Sequence, residues 1–244
     1  MRPNEATPSP AAPLAVADSL TEARAEEVRL ALETIRDPEL DETVTAMGFI
    51  KSIEVDGGSV GVAFQLPTQW CAANFAFLMA ADIKAALVAL PWVTSAEVVL
   101  RDHFAARRIN EAVAQDLSFM QAFPQKAEGE LDGLRHTFLE KAFLARQHAV
   151  LDVLPKGGNL PLPALWTLPD LERVARETAS LTEPVARYLA LRRNLPGDRA
   201  FVSAQGEPVE IAHWTVHVRS VRGTAVTMAA NAEHCRVLAA ANPD

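Results

Sequence analysis

The run Val60-Gly61-Val62-Ala63-Phe64-Gln65-Leu66 alternates large apolar residues with small or polar ones without a break. In a strand, successive side chains point to opposite faces, so Val60, Val62, Phe64 and Leu66 line one face together. A helix would scatter the same four residues around its circumference. Upstream, Asp56-Gly57-Gly58 reads as a tight turn, because glycine accepts positive φ without steric cost. Phe49 to Val55 reads as the strand that enters that turn. The chain therefore contains a β-hairpin, and neighbouring segments must cover its apolar face.

The flanking sequence supplies those covers. Thr21 is a suitable N-cap, followed by acidic Glu22, Glu26 and Glu27 early in a helix. Val28, Ala31, Leu32 and Ile35 share one face of it, and Pro38 stops it by disfavouring the helical conformation in Asp37. Downstream, a helix from about Ala72 to Leu90 carries Met79, Ile83, Ala86, Leu87 and Leu90 on one face and ends at Pro91. Ala96, Val98 and Leu100 then alternate in a third strand. The order helix-strand-strand-helix-strand suits an α+β fold. It is a small two-layer α/β sandwich with both helices on one face of an antiparallel or mixed sheet.

The rest of the chain reads as mainly helical. Helical segments are expected over 105–123 and 131–154, the second with Leu134, Phe138, Ala142, Ala145 and Ala149 on a broad apolar face. Lys156-Gly157-Gly158-Asn159 breaks it, and Pro161, Pro163 and Pro169 keep the next stretch irregular. Further helices are expected from Asp170 and from Thr182-Glu183-Pro184 to Gly197. A small hairpin turns at Gln205-Gly206. Ile211 to Val221 fits helix and strand equally, and Gly223-Thr224 opens a last helix. The expected organisation is a disordered Pro- and Ala-rich tail over 1–19, an α+β domain over 20–104 and a mainly α-helical domain over 105–244.

Composition narrows the class. A formal charge of −8 argues against nucleic acid or an anionic membrane as the main partner. The pairs Arg107-Arg108 and Arg192-Arg193 read as solvated helix faces. Two cysteines, Cys71 and Cys235, make no disulfide framework and suit a reducing cytoplasm. The N-terminal residues lack the pattern of a signal peptide. The most apolar stretch, Phe75 to Leu90, is interrupted by Asp82 and Lys84 and is no membrane span.

Chemistry concentrates at Cys71, where the hairpin ends and a helix starts. A thiol there faces the positive end of the helix dipole and tends toward thiolate, the form that binds metal and attacks electrophiles. One thiol cannot complete a zinc or iron–sulfur site, so it suits a transient or shared site, one ligand per subunit of a homodimer for example, or a nucleophile. Thr68 is placed to cap that helix or to support the thiol. Asp37-Pro38-Glu39 offers carboxylates beyond the first helix. Glu210 and His213 have the Glu-x-x-His spacing of carboxylate-bridged di-iron helices, with His217 one turn on. A second copy is missing, so ordinary surface or core histidines explain these residues more simply and they stand as secondary metal candidates.

These pieces together resemble the SufT/PaaD-like metal–sulfur cluster assembly factors. The resemblance spans Val28 to Arg101. It rests on the leading helix, Asp37-Pro38-Glu39-Leu40, Met47-Gly48-Phe49-Ile50, the Asp56-Gly57-Gly58 turn, Cys71 after the second strand, and Trp92-Val93 between the last helix and strand. The family usually has Thr four residues before the cysteine and Pro just after it. Here Pro67 and Ala72 stand at those positions, with Thr68 displaced by one. The resemblance implies a cytoplasmic, non-enzymatic accessory factor that assembles or delivers iron–sulfur clusters or iron. Cys71 would be the transient ligand, with Asp37 and Glu39 shaping the site. The implied partner is a protein client, an apo metalloprotein such as a component of an iron-dependent oxygenase, recognised by the C-terminal half. Two other readings stay open. One is a thiol enzyme using Cys71 as nucleophile, with His103 approaching through the fold as base. The other is a structural adaptor with an inert Cys71.

Overall fold

The computed structural model describes residues 13–125, 131–155 and 161–241, with side chains from residue 19 onward. The fold is α+β. The chain divides into two compact units: residues up to Ile35 with Thr43–Ala122, and Arg36–Glu42 with the chain from Phe123 onward.

The first unit runs α1 (Pro13–Leu32), β1 (Ile50–Asp56), β2 (Ser59–Gln65), α2 (Ala73–Val88), β3 (Ser95–Arg101), α3 (Ala106–Ala114) and α4 (Phe119–Ala122). The sheet order is β1-β2-β3. β1 and β2 are antiparallel with Val55 opposite Val60, while β2 and β3 are parallel with Val62 opposite Val98. The sheet is thus mixed, with the alternating strand at its centre. Val60, Val62, Phe64 and Leu66 are all buried, as are Val28 and Leu32 of α1 and Ala76, Met79, Ile83 and Leu87 of α2. α1 packs on β1 and on α2, and α2 packs on β3, so the two helices cover one face.

Polar contacts lock this arrangement at its margins. At the hairpin turn Gly57 has φ +55°, and a Cβ on Gly58 would meet Thr94 Oγ1 at 2.6 Å. Arg24 donates to the Gly57 carbonyl at 2.9 Å and lies over the Trp92 ring, whose Nε1 donates to Glu27 at 2.7 Å. These contacts tie α1 to both chain reversals. β3 is an edge strand, and Asn110 of α3 occupies its open side, accepting from Leu100 N and donating to Leu100 O. Lys84, one of the charges that interrupts the apolar run of α2, donates to the Val113 and Ala114 carbonyls at the end of α3 and to Asp116.

Several boundaries differ from the sequence reading. α1 starts at Pro13, ahead of Thr21, so residues 13–19 are helical, and residues 1–12 of the expected tail lie outside the described residues. It ends at Leu32, well before Pro38, because Thr34 N–H and its hydroxyl both turn back to Ala31 O. The helix expected over 105–123 is broken into α3 and α4. Asp116 takes φ +54° and Leu117 N–H reaches Ala112 O at 2.9 Å, a Schellman ending.

The second unit contains α5 (Leu131–Val153), α6 (Leu168–Glu177), α7 (Thr182–Arg192) and α8 (Trp214–Ala241). α7 and α8 both pack on α5. Thr167 and Asp170 form a reciprocal capping box at the start of α6. Val150, Leu171, Leu181, Tyr188, Ala200 and Phe201 are fully buried in one cluster. Two polar side chains, Gln147 and Arg192, are also fully buried. Arg192 donates to the carbonyls of Leu195, Pro196, Gly197 and Arg199 and so closes the loop after α7. Gln147 donates to Tyr188 Oη at 3.2 Å and Val202 O at 2.9 Å, and Tyr188 donates to Ala200 O at 2.8 Å.

The expected hairpin at Gln205-Gly206 is a single bridge between Val202 and Pro208, with Gly206 at φ +87°. The ambiguous stretch Ile211 to Val221 is helical, and α8 begins at Trp214 rather than at Gly223. Trp214, Val221, Met228 and Ala232 form its buried stripe, and that continuous face outweighs the roughly 1 kcal/mol that an interior glycine costs. The break expected at Lys156-Gly157-Gly158-Asn159 lies outside the described residues. Among the described residues no helix is long and apolar enough to cross a membrane.

Candidate functional site

Cys71 lies in the short loop between β2 and α2, one residue ahead of the α2 N-cap Ala72, and its side chain is partly exposed. No side chain caps α2. Thr68 instead folds back on its own loop. Its hydroxyl accepts from Trp70 N–H at 3.2 Å and lies 3.5 Å from Cys71 Sγ. The structure thus brings Thr68 and Cys71 together, with a hydroxyl able to donate to a thiolate.

The loop is held from the far end of β3. Asp102 turns the chain with φ +43° and accepts from the buried Gln65 amide at 3.2 Å. Phe104 N–H donates to Gln69 O at 3.0 Å, and the Trp70 and Phe104 rings stack at 5.8 Å. His103 is buried, and its Nε2–H donates to the Cys71 carbonyl at 2.8 Å. Its Nδ1 accepts from Ala105 N–H at 3.2 Å. Burial pushes the imidazole below its ordinary pKa, only partly opposed by the Cys71 carbonyl. Both ring nitrogens are occupied by the backbone, so His103 positions the loop and is no base for the thiol in this arrangement.

Asp37 and Glu39 belong to the second unit, whereas Cys71 belongs to the first. Asp37 is buried, and its carboxylate accepts from Glu39 N–H at 2.8 Å and Leu40 N–H at 3.1 Å, which shapes the Asp-Pro-Glu turn. Burial raises its pKa to about 6 against the opposing pull of those two N–H groups. Glu39 accepts from Asn231 at 3.4 Å.

The next carboxylate, Asp41, gave no signal in the sequence and is more elaborately held. Arg146 clamps it bidentately at 2.6 and 2.7 Å. Arg36 donates to its carbonyl, and Arg187 approaches its carbonyl at 3.4 Å and carboxylate at 3.5 Å. Burial lowers the Arg36 pKa; Asp41 opposes that shift, and Arg187 and Arg146 add to it. Arg146 and Arg187 lie too far away in sequence for spacing to relate them to Asp41.

Glu210 and His213 pair at 3.8 Å on an exposed 3-10 turn that precedes α8. His217 does not join them in a ligand set. Its Nε2 donates to Gln147 Oε1 at 2.5 Å, and burial lowers its pKa. Among the described residues no three His, Cys, Asp or Glu side chains gather as a metal-binding set. A resident cluster takes about four protein ligands. The lone thiol with its neighbouring hydroxyl falls short of that number.

No curated protein sequence matches this chain. Residues 25–98 match the family model described as an iron-sulfur cluster assembly protein. That span takes in the hairpin, the Cys71 loop, α2 and most of β3, and the match supports the iron–sulfur cluster assembly domain family for this N-terminal part of the chain.

Proposed function

We propose that the chain is an accessory factor that carries an iron–sulfur cluster, or iron, transiently on Cys71 and passes it to a protein client. The observation that carries this reading is the position of Cys71: a partly exposed thiol, inside the family match, on a loop pinned through its own carbonyl. A pinned loop presents the sulfur in one place, while a single protein thiolate leaves the other ligands to a client or a second copy of the chain. Thr68 supports the thiolate by a hydrogen bond. The client is an apo metalloprotein, with a component of a metal-dependent oxygenase as the specific case, recognised by the second unit in the cytoplasm.

The thiol-enzyme reading requires a base, and His103 has both nitrogens engaged by backbone groups. The inert-adaptor reading requires Cys71 to be dispensable. Anaerobic titration with ferric iron and sulfide separates the readings. The wild-type chain should develop cluster absorbance and lose it to an apo-ferredoxin acceptor, and Cys71→Ser should do neither. Equal uptake by the two proteins would sink the carrier.

A further inference from the structure

Trp70, the residue before Cys71, is 70 % exposed, and Phe104, stacked on it, is 48 % exposed. A single apolar side chain at a surface is ordinary. Two large rings stacked beside a partly exposed thiol make a patch. The backbone beneath them is fixed by Phe104 N–H on Gln69 O and by His103 on Cys71 O, so the rings need little ordering to meet a partner. No charged residue occurs between Ser59 and Ala81. The nearest charges along the β3–α3 connection are Arg101, Asp102, Arg107 and Arg108, all exposed, with Glu111 a turn further along α3. Asp102 already accepts from Gln65. Arg101 and Arg107 have no ion-pair partner among the described residues. Arg107 and Arg108 lie in the first turn of α3, which carries no acidic residue. Cations there oppose the helix dipole, so helix stability does not account for them. In a chain of formal charge −8, this rim reverses the prevailing sign.

We propose that the Trp70–Phe104 stack and its arginine rim form a docking surface for an acidic protein client. The client seats an apolar pocket on the rings and sets Asp and Glu side chains against Arg101, Arg107 and Arg108. Trp and Arg are among the residues that most often carry the binding energy of protein interfaces. A basic rim attracts and orients an acidic surface that the rest of the chain repels. An anionic membrane would meet the negative charge of the whole chain, and a second copy docked symmetrically would oppose arginine to arginine. That the partner is a cluster client rests on the carrier reading of Cys71. Docking here sets the client's ligands beside the sulfur, while the second unit selects the client.

Calorimetric titration of the cluster-free 244-residue chain with a plant-type apo-ferredoxin, an acidic protein, tests the surface. Binding should be saturable and should weaken as salt rises from about 50 to about 200 mM, which screens the rim. Trp70→Ala should weaken it about thirtyfold, the scale of a hot-spot residue. Arg101→Glu combined with Arg107→Glu should weaken it at least about fivefold, the scale of an exposed ion pair. The double variant changes only exposed, unpaired side chains and puts an acid where the α3 dipole favours one, so its thermal midpoint should not fall. It decides the matter if Trp70→Ala loosens the loop. Loading with ferric iron and sulfide reads the carrier separately, and the double variant should load like the wild type. Failure of the wild type to load would sink the carrier and leave the binding result standing. The docking surface is overturned by absence of saturable ferredoxin binding, by affinity that rises with salt, or by undiminished affinity in the double variant. Tighter binding to phosphatidylserine vesicles than to the ferredoxin, or a wild-type dimer that Trp70→Ala dissociates, would overturn it as well.

Discussion

The two units bury polar side chains in opposite ways. In the first, the buried polar residues among those described are Gln65 and His103, and both serve the turn that holds the Cys71 loop. The sandwich beneath is apolar. In the second, Asp37, Asp41, Gln147 and Arg192 are buried, and the last two sit within the packing itself. The first core is specified by shape and alternation, so local sequence suffices to build it. The second is specified by long-range donors and acceptors that must all find one another. A buried network tolerates little error, because a partner removed leaves others unpaired in a medium of low dielectric.

The largest test of that contrast is Arg192→Met. The substitution nearly conserves volume, yet it strips four carbonyls of their donor. The expected loss is on the order of 4 kcal/mol, read by urea denaturation with Trp166 and Trp214 as reporters in a background of Trp70→Phe and Trp92→Phe. A loss below about 1 kcal/mol, the scale of an ordinary substitution, would break the contrast.

The same contrast explains what the sequence made legible. The hairpin, α2 and β3 follow from period-two and helical patterns whose buried faces are local, and the structure keeps them within a residue or two. Cys71 was findable for the same reason: it stands where one pattern stops and the next begins. The carbonyl contact of His103 lay beyond it, since the sequence suggested an approach to the thiol and not its target. In the second unit the patterns are weaker. α8 was split at Gly223 because its stripe of Trp214, Val221, Met228 and Ala232 shows only once α5 is in place. No local pattern marks Asp41, and nothing local pairs it with Arg146 or Arg187.

Asp37 sharpens the comparison through pH. Its pKa is about 6 in the folded chain against an ordinary 3.8. The folded state therefore holds the proton more tightly than the unfolded state. The stability this contributes is fully present below about pH 4 and is lost as pH rises through about 6, a change of about 3 kcal/mol at most. Asn keeps the acceptor oxygen for Glu39 and Leu40 N–H but does not titrate. Asp37→Asn should therefore gain on the wild type as pH rises from 4 to 7. A stability difference between the two that is flat across that range would show that burial does not penalise this carboxylate.

Two leucine substitutions give the smallest and most direct comparison. Gln147→Leu, in the second core, leaves Val202 O and His217 Nε2 without their partner, while Tyr188 keeps its bond to Ala200 O. The expected cost is about 2 kcal/mol, the scale of leaving buried polar groups unsatisfied. Phe64→Leu, on the central strand of the first core, strands no polar group. Only shape changes, and the expected cost is about 1 kcal/mol. Both positions are fully buried, so denaturation midpoints compare polar pairing with packing directly. If Gln147→Leu proved as mild as Phe64→Leu, apolar packing alone would hold the second unit, and its buried polar groups would need a reason other than stability.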